Sequence, residues 1–308
     1  MAVINNILQT NLNGLILKNP IMTASGTYGY ADEYDDFINV ENLGAIVTKA
    51  ISLKPREGNK HTRIAETEAG MINSIGLENV GIEKFLKEKL PVLKEKNIDF
   101  IMNIAGSTQE EYTELAKICN ENKIKAIELN VSCPNVKTGC IEFGVDEKAL
   151  YNLVSEVRKN YKGYLIVKLT PNVTSIENIG IAAEKAGANA ISAINTIKGM
   201  SIKLNYINGR FNKTVVQGGY SGIGIKPAAL SAVSKLSKVV SIPIIGIGGI
   251  EKLNDILEFF AAGAQAIQIG TANFTHPDIA EKLIFELEEY ILQNGFKDLN
   301  ELKRELRI

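Results

Sequence analysis

The chain is poor in the residues that usually carry metal and triad chemistry: its 308 residues include 3 cysteines and 2 histidines. The cysteines form no C-x-x-C pair. They therefore exclude a disulfide framework and a cysteine-ligated metal centre within the chain, and they fit a reducing compartment. His61 and His276 each sit among loop-like residues, which argues against His-ligated metal and against a histidine-based triad. No charge of one sign dominates either. The formal net charge is -1, so no basic surface recommends nucleic acid and no excess recommends a membrane. No apolar run approaches the roughly 20 residues that a bilayer span needs. The opening Met1-Ala-Val-Ile-Asn-Asn has neither a charged n-region nor an apolar h-region. These absences point to the cytoplasm. What is plentiful is apolar: 45% hydrophobic against 22% charged residues, the balance of a chain able to bury a large core.

That apolar content is arranged as β–α repeats. Leu8 to Leu17 alternates around Asn13-Gly14, a hairpin signal placed to cap one end of the fold. Short strands are predicted at 20–26, 44–49, 99–103, 125–129, 164–169, 190–195, 242–248 and 266–270. Between them lie helical stripes at 31–42 (Tyr34, Phe37, Ile38, Val40), 80–95, 107–122, 146–159 (Leu150, Leu153, Val154, Val157), 174–186, 227–239 and 253–262. Residues from Pro277 onward read as helical. Two connections are too long for plain barrel turns. One, of roughly 30 residues, holds Asn73-Ser-Ile-Gly-Leu77; the other, between Thr196 and Gly222, has Asn208-Gly209 at a hairpin position. The expected fold is α/β, a single (β/α)8 barrel over residues 1–308, with an N-terminal hairpin and long inserts after strands 2 and 6.

Chemistry in such barrels sits at the C-terminal ends of the strands. Here those ends read Ser25-Gly26, Lys49, Asn103, Asn130, Lys168, Asn195, Gly248-Gly249 and Gly270-Thr271. A purely structural core has no use for lysine or asparagine at so many strand ends, so the set describes one pocket. Its centre is Glu128-Leu-Asn-Val-Ser-Cys-Pro-Asn135, where an apolar strand delivers Asn130, Ser132, Cys133 and Asn135 together. Pro134 removes a backbone donor and biases Cys133 away from the helical region, which puts the thiol at the tip of a loop.

Gly248-Gly249 and Gly270-Thr271 follow the last two strands, the place where barrels hold a phosphate on backbone N–H groups; Gly222 adds to that corner. Neither Gly246-Ile-Gly248 nor Gly222-Ile-Gly224 has the third glycine or the βαβ context of a dinucleotide fingerprint. One phosphate site without that fold favours a mononucleotide cofactor or a phosphorylated substrate. Lys49 and Lys168 are cations on buried strands and call for an anionic partner, which a reduced flavin or an anionic substrate would supply.

Asn130-x-Ser-Cys-Pro-Asn135, Thr48-Lys-Ala50 with Ser52-x-x-Pro-Arg-x-Gly-Asn59, Asn73-x-x-Gly-Leu77, Asn195-Thr196, Ser221-Gly222 and Gly248-Gly249 together resemble the dihydroorotate dehydrogenases. More narrowly, Ala24-Ser-Gly-Thr-Tyr-Gly and Thr271-Ala-Asn-Phe274 resemble the class 1B catalytic subunit. Gly222-Ile-Gly-Ile departs from the Pro-Ala expected after that glycine. The resemblance implies FMN held by Ser25, Lys49, Ala50, Asn103, Asn130, Lys168, Ile194, Gly222, Gly248, Gly249, Gly270 and Thr271. It implies a pyrimidine substrate, dihydroorotate, met by Lys49, Asn73, Ser74, Ile75, Gly76, Leu77, Asn130, Asn195 and Thr196, with no metal.

By the same resemblance Cys133 is the catalytic base, Lys168 assists catalysis, and the product orotate enters pyrimidine (UMP) biosynthesis. Electrons then pass to NAD through a partner subunit carrying FAD and an iron–sulfur cluster, around a homodimeric core within a heterotetramer. Cys119 lies on an apolar helical stripe and reads as core, and Cys140 has no assigned role. The alternatives are a class 1A homodimer using fumarate, a dihydropyrimidine dehydrogenase-like flavoenzyme, and a barrel that binds a phosphorylated ligand without redox chemistry.

Overall fold

The computed structural model describes residues 6–31, 39–132, 143–207 and 210–308. The predicted helix over 31–42 therefore falls largely outside the described residues, and its described end, Val40–Asn42, is a single 3-10 turn capped by Asn39. The Asn208-Gly209 turn lies outside them too, as does the loop carrying Cys133, Asn135 and Cys140.

In chain order the strands are β1 (Thr10–Leu12), β2 (Leu15–Leu17), β3 (Ile21–Thr23), β4 (Ala45–Val47), β5 (Ile64–Thr67), β6 (Gly70–Asn73) and β7 (Phe100–Ile104). They continue with β8 (Ala126–Asn130), β9 (Tyr164–Leu169), β10 (Ala190–Ala193), β11 (Ile197–Ile207), β12 (Arg210–Ser221), β13 (Ile244–Ile247) and β14 (Ala266–Ile269). Strands β3, β4, β7, β8, β9, β10, β13 and β14 close into one barrel in that order, and every pairing in it is parallel. Helices cover the outside, so each strand is buried on both faces. This is why the strands read as short apolar runs rather than as alternating patterns; every residue of β8 and β9 is buried. The helices start where the sequence supplies caps. Thr108, Asp146 and Ser175 each accept a backbone N–H from three residues on, the bond that satisfies an orphan donor of the first turn.

The barrel interior changes character along its axis. At the end where the strands begin, Leu12 and Leu17 of the antiparallel β1–β2 hairpin pack with Met22, Val47, Ile101, Ile166 and Ile245. The Tyr164 hydroxyl donates to the Leu12 carbonyl. The hairpin is thus the cap that its Asn-Gly turn foretold, held by buried side chains each worth about 1.5–3 kcal/mol over exposure. At the other end the interior is polar.

The two long inserts do something their sequences do not announce. They meet in one four-stranded sheet, ordered β11-β12-β6-β5, which stands beside the C-terminal ends of the barrel strands. On the β11–β12 hairpin, Ile202 lies opposite Val215 and Tyr206 opposite Phe211. Directly opposed residues share a face, and all four, with Met200 and Leu204, are exposed. No helix among the described residues is long and apolar enough to cross a membrane.

The C-terminal helix Leu299–Leu306 buries Lys303. Its ammonium donates to the Gln265 carbonyl at 2.6 Å and lies 4.8 Å from the Phe260 ring centre. Burial nevertheless pushes the Lys303 pKa down to about 7, because leaving water penalises the charged form. Between that value and the ordinary lysine range the unfolded chain binds the extra proton, so this group makes stability rise with pH across that window. Lys303→Met is expected to remove that component. The wild-type stability should gain on the variant by up to about 1.4 kcal/mol per pH unit above pH 7, read from denaturant melts at pH 7, 8 and 9. Parallel pH profiles would refute it.

Candidate active site

Each barrel strand ends by delivering a polar group or a glycine to the same mouth. The most connected of these groups is one the sequence reading passed over. Glu128, in the middle of β8, is completely buried. Its Oε1 accepts from Asn103 Nδ2 at 2.7 Å, and its Oε2 accepts from Ser192 Oγ at 2.7 Å and Gln268 Nε2 at 2.9 Å. Lys168 Nζ lies 3.7 Å from Oε1 and donates to Ser25 Oγ at 3.2 Å. The predicted residues Ser25, Asn103 and Lys168, from three different strands, therefore share one buried network. Glu128, Ser192 and Gln268 hold it together. Their signal was present: each is a single polar residue inside an apolar strand, at a position whose side chain points inward.

Asn130 ends β8 and is pinned from both sides. Its carbonyl accepts from the Tyr112 hydroxyl at 2.6 Å, and its Oδ1 accepts from Asn195 Nδ2 at 3.2 Å. Asn195 Oδ1 in turn accepts the Thr196 N–H at 2.8 Å. Asn172, another residue missed from sequence, donates to the Thr196 carbonyl at 3.0 Å and fixes that turn. Cys133 itself lies outside the described residues, but the base of its loop is closed: the Gly144 N–H donates to the Val131 carbonyl at 3.1 Å.

The 73–77 segment arrives on the insert sheet. The Asn73 amide donates to the Gly219 carbonyl at 3.3 Å, which ties β6 to β12. Asn59 Nδ2 donates to both the Ser74 carbonyl and its Oγ at 3.0 Å, and the Asn59 N–H donates to the Ile75 carbonyl at 3.0 Å. At Gly76, with φ of 77°, an added Cβ would stand 2.7 Å from Asn59 N, so the approach needs glycine twice over, for space and for backbone. The Ser52-to-Asn59 motif is thus a clamp on the 73–77 loop. After β4, Lys49 is half-buried and forms no ion pair among the described residues. Ala50 and Ile194 are buried beside the strand ends.

The glycine corner is closed in the same way. Gly248 and Gly249 take φ of 130° and 70°, and a Cβ on Gly249 would sit 3.0 Å from the Gly222 carbonyl. The turns after β12 and β13 therefore touch. Asp255, also missed, fixes the second turn: Oδ2 accepts the Glu251 and Lys252 N–H groups at 2.9 and 3.0 Å, and Oδ1 accepts from Lys226 Nζ at 2.6 Å. Thr271 Oγ1 donates to Ser221 Oγ at 2.8 Å. At Gly270 an added Cβ would meet only Ala24 Cβ, at 3.6 Å, so that side of the corner is open. Away from the mouth, Cys119 is fully buried and its thiol is pushed up to about 12 by burial. It is the inert core cysteine its stripe predicted.

This arrangement can orient a planar ring with amides, place a cation under it, and seat a phosphate on backbone donors. Comparison with known proteins agrees with it. The family model described as dihydroorotate dehydrogenase matches residues 7–291. The chain is 46% identical over 302 residues to a protein of Geotalea daltonii named dihydroorotate dehydrogenase B (NAD(+)), catalytic subunit, with 98% of each chain covered. Proteins of the same name from a Thermoanaerobacter species and from Bacteroides thetaiotaomicron are 44% and 46% identical, over 98% and 96% of this chain and 99% and 97% of theirs. A match of this extent, on a closed parallel barrel with these strand ends, means that the chain belongs to the dihydroorotate dehydrogenase family.

Proposed function

We propose that residues 1–308 act as one FMN-binding domain, the catalytic subunit of a cytoplasmic, two-component dihydroorotate dehydrogenase of pyrimidine biosynthesis. The observation that carries this reading is the mouth itself: Asn103, Asn130, Lys168 and Asn195 gathered beside a glycine corner at the strand ends. The residues fit FMN. Asn103 spends its Nδ2 on Glu128, and its Oδ1 is buried with no donor among the described residues, an unspent acceptor suited to a ring N–H. The open side of Gly270, next to the closely packed turns at Gly222, Gly248 and Gly249, supports a phosphate site near backbone N–H groups. Ser25, Lys49, Ala50, Asn130, Lys168, Ile194 and Thr271 complete the proposed holding set. FMN supplies, when bound, an acceptor for the hydride leaving C6 of dihydroorotate.

The chain's own groups do the rest. Cys133 takes the proton from C5. Asn73, Asn130 and Asn195 offer amides, each both donor and acceptor, to the alternating N–H and C=O groups of the pyrimidine. Ser74, Ile75, Gly76, Leu77 and Thr196 complete the walls around the ring. Lys49, with no ion pair among the described residues, meets the substrate carboxylate, the group that separates dihydroorotate from uracil. The relatives named above as NAD(+) catalytic subunits support delivery of electrons to NAD through a second subunit carrying FAD and an iron–sulfur cluster. The exposed apolar face of the β11–β12 hairpin supports association with other chains, here a homodimeric core within a heterotetramer.

The expected results are direct. Heat should release FMN, identified by chromatography. The chain alone should reduce neither NAD nor fumarate efficiently with dihydroorotate, and adding the partner subunit should switch on NAD reduction. Released FAD would refute the cofactor reading, and brisk NAD reduction by the chain alone would refute the two-component reading. Efficient fumarate reduction would move the protein to class 1A.

A further inference from the structure

Inside the barrel mouth Glu128 has a feature that cofactor binding does not require: a complete shell of donors. Asn103, Ser192 and Gln268 each donate to it, and the Lys168 ammonium stands 3.7 Å away. Both of its oxygens are thus held as hydrogen-bond acceptors beside a cation. Lys168 has three N–H donors. Ser25 accepts one and Glu128 draws a second, which leaves the third to point at whatever occupies the mouth.

We propose that Glu128 is a positioning residue that holds the Lys168 ammonium by a buried ion pair and, through it, sets the reduction potential of the bound flavin. This rests on the FMN reading above. The physical reason is charge balance between two buried groups. As an ion pair, Glu128 and Lys168 together carry no net charge. Reduction of a flavin bound in the mouth would add negative charge there, which the ammonium would favour and the carboxylate oppose. Removing the carboxylate leaves an uncompensated cation, which favours the reduced form. Removing the ammonium leaves an uncompensated buried anion, which opposes it and also destabilises the fold. Replacing both restores neutrality.

The test uses four full-length proteins: wild type, Glu128→Gln, Lys168→Met and the double variant. Two readouts are taken, the flavin midpoint potential by reductive titration and thermal melts of the flavin-free proteins. Glu128→Gln should raise the potential by about tenfold in the reduction equilibrium, about 30 mV for a two-electron couple. Lys168→Met should lower it by a similar amount, and the double variant should return toward wild type. The melts should follow charge pairing, with Lys168→Met least stable and the double variant recovering most of the loss. A Glu128→Gln potential equal to or below wild type would overturn the proposal, as would a double variant that stays at the Lys168→Met value. If Glu128→Gln loses its flavin, the double variant against Lys168→Met decides: a higher potential supports the proposal and an equal one overturns it. A wild-type protein that binds no flavin would instead defeat the FMN reading. The four melts would still judge the ion pair, and absence of compensation in them would overturn it.

Discussion

Replacing Cys133 by alanine is expected to leave the flavin bound and to slow its reduction by dihydroorotate by roughly 10²–10⁴-fold, the usual cost of losing a general base. Of the residues proposed to hold the cofactor, Asn103, Asn130 and Lys168 lie on barrel strands and the others in the turns beside strand ends. Those proposed to fix the substrate ring are anchored separately, Asn130 by Tyr112 and Asn195, and Asn195 with Thr196 by Asn172. Binding should therefore survive while proton removal fails. Cys133→Ser should keep part of the rate and shift it to higher pH, because a hydroxyl is a much weaker acid than a thiol, whose ordinary pKa is about 8.5. Cys119→Ala is the matched control: that thiol is buried against Met102, 3.7 Å away, and its loss should touch stability alone. Stopped-flow reduction of the flavin under anaerobic conditions is the measurement. An unchanged rate in Cys133→Ala would remove the residue from the mechanism.

The second large effect is expected far from the reacting atoms, at Gly218. In the insert sheet, β12 lies against β6 so closely that a Cβ on Gly218 would stand 1.9 Å from the Asn73 carbonyl oxygen and 2.7 Å from its carbon. Backbone cannot yield as a flexible side chain does, so β6 must move. Asn73 opens the loop proposed to meet the substrate, and a displacement of about 1 Å there is expected to cost roughly 10²-fold in kcat/KM. Gly218→Ala should show that loss with dihydroorotate. Gly199→Ala serves for comparison. Its Cβ would meet mainly side-chain atoms, the nearest being Tyr220 Cβ at 3.2 Å, and the effect should be small. An unimpaired kcat/KM in Gly218→Ala would show that the sheet does not position the loop.

Both expectations depend on how much of the site could be read before the fold. Asn130, Lys168, Asn195 and the glycine corner stood out as candidates because they follow apolar runs, and a polar residue at the end of a buried strand has few structural uses. Glu128, Ser192 and Gln268 were not, because each looked like a blemish within an apolar run. Only the closing of β7, β8, β10 and β14 around one axis turns them toward each other. Asn172 and Asp255 read as ordinary loop and helix-start residues. Their partners, the Thr196 carbonyl and the Lys226 ammonium, are 24 and 29 residues distant in the chain.

Local chemistry by itself determined the alternation of strand and helix, the Asn-Gly hairpin, the helix caps at Thr108, Asp146 and Ser175, and which strand ends are polar. These follow from periodicity, turn preferences and the cost of burying a polar group, all of which act over a few residues. Tertiary structure alone decided that two inserts separated by more than a hundred residues share one sheet, with Asn73 held by Gly219 at a sequence separation of 146. It alone decided that one carboxylate inside the barrel gathers donors from β7, β9, β10 and β14. Such contacts join distant segments, and no local preference records them: their geometry is set by barrel closure and by how closely two backbones can approach where glycine leaves no side chain between them.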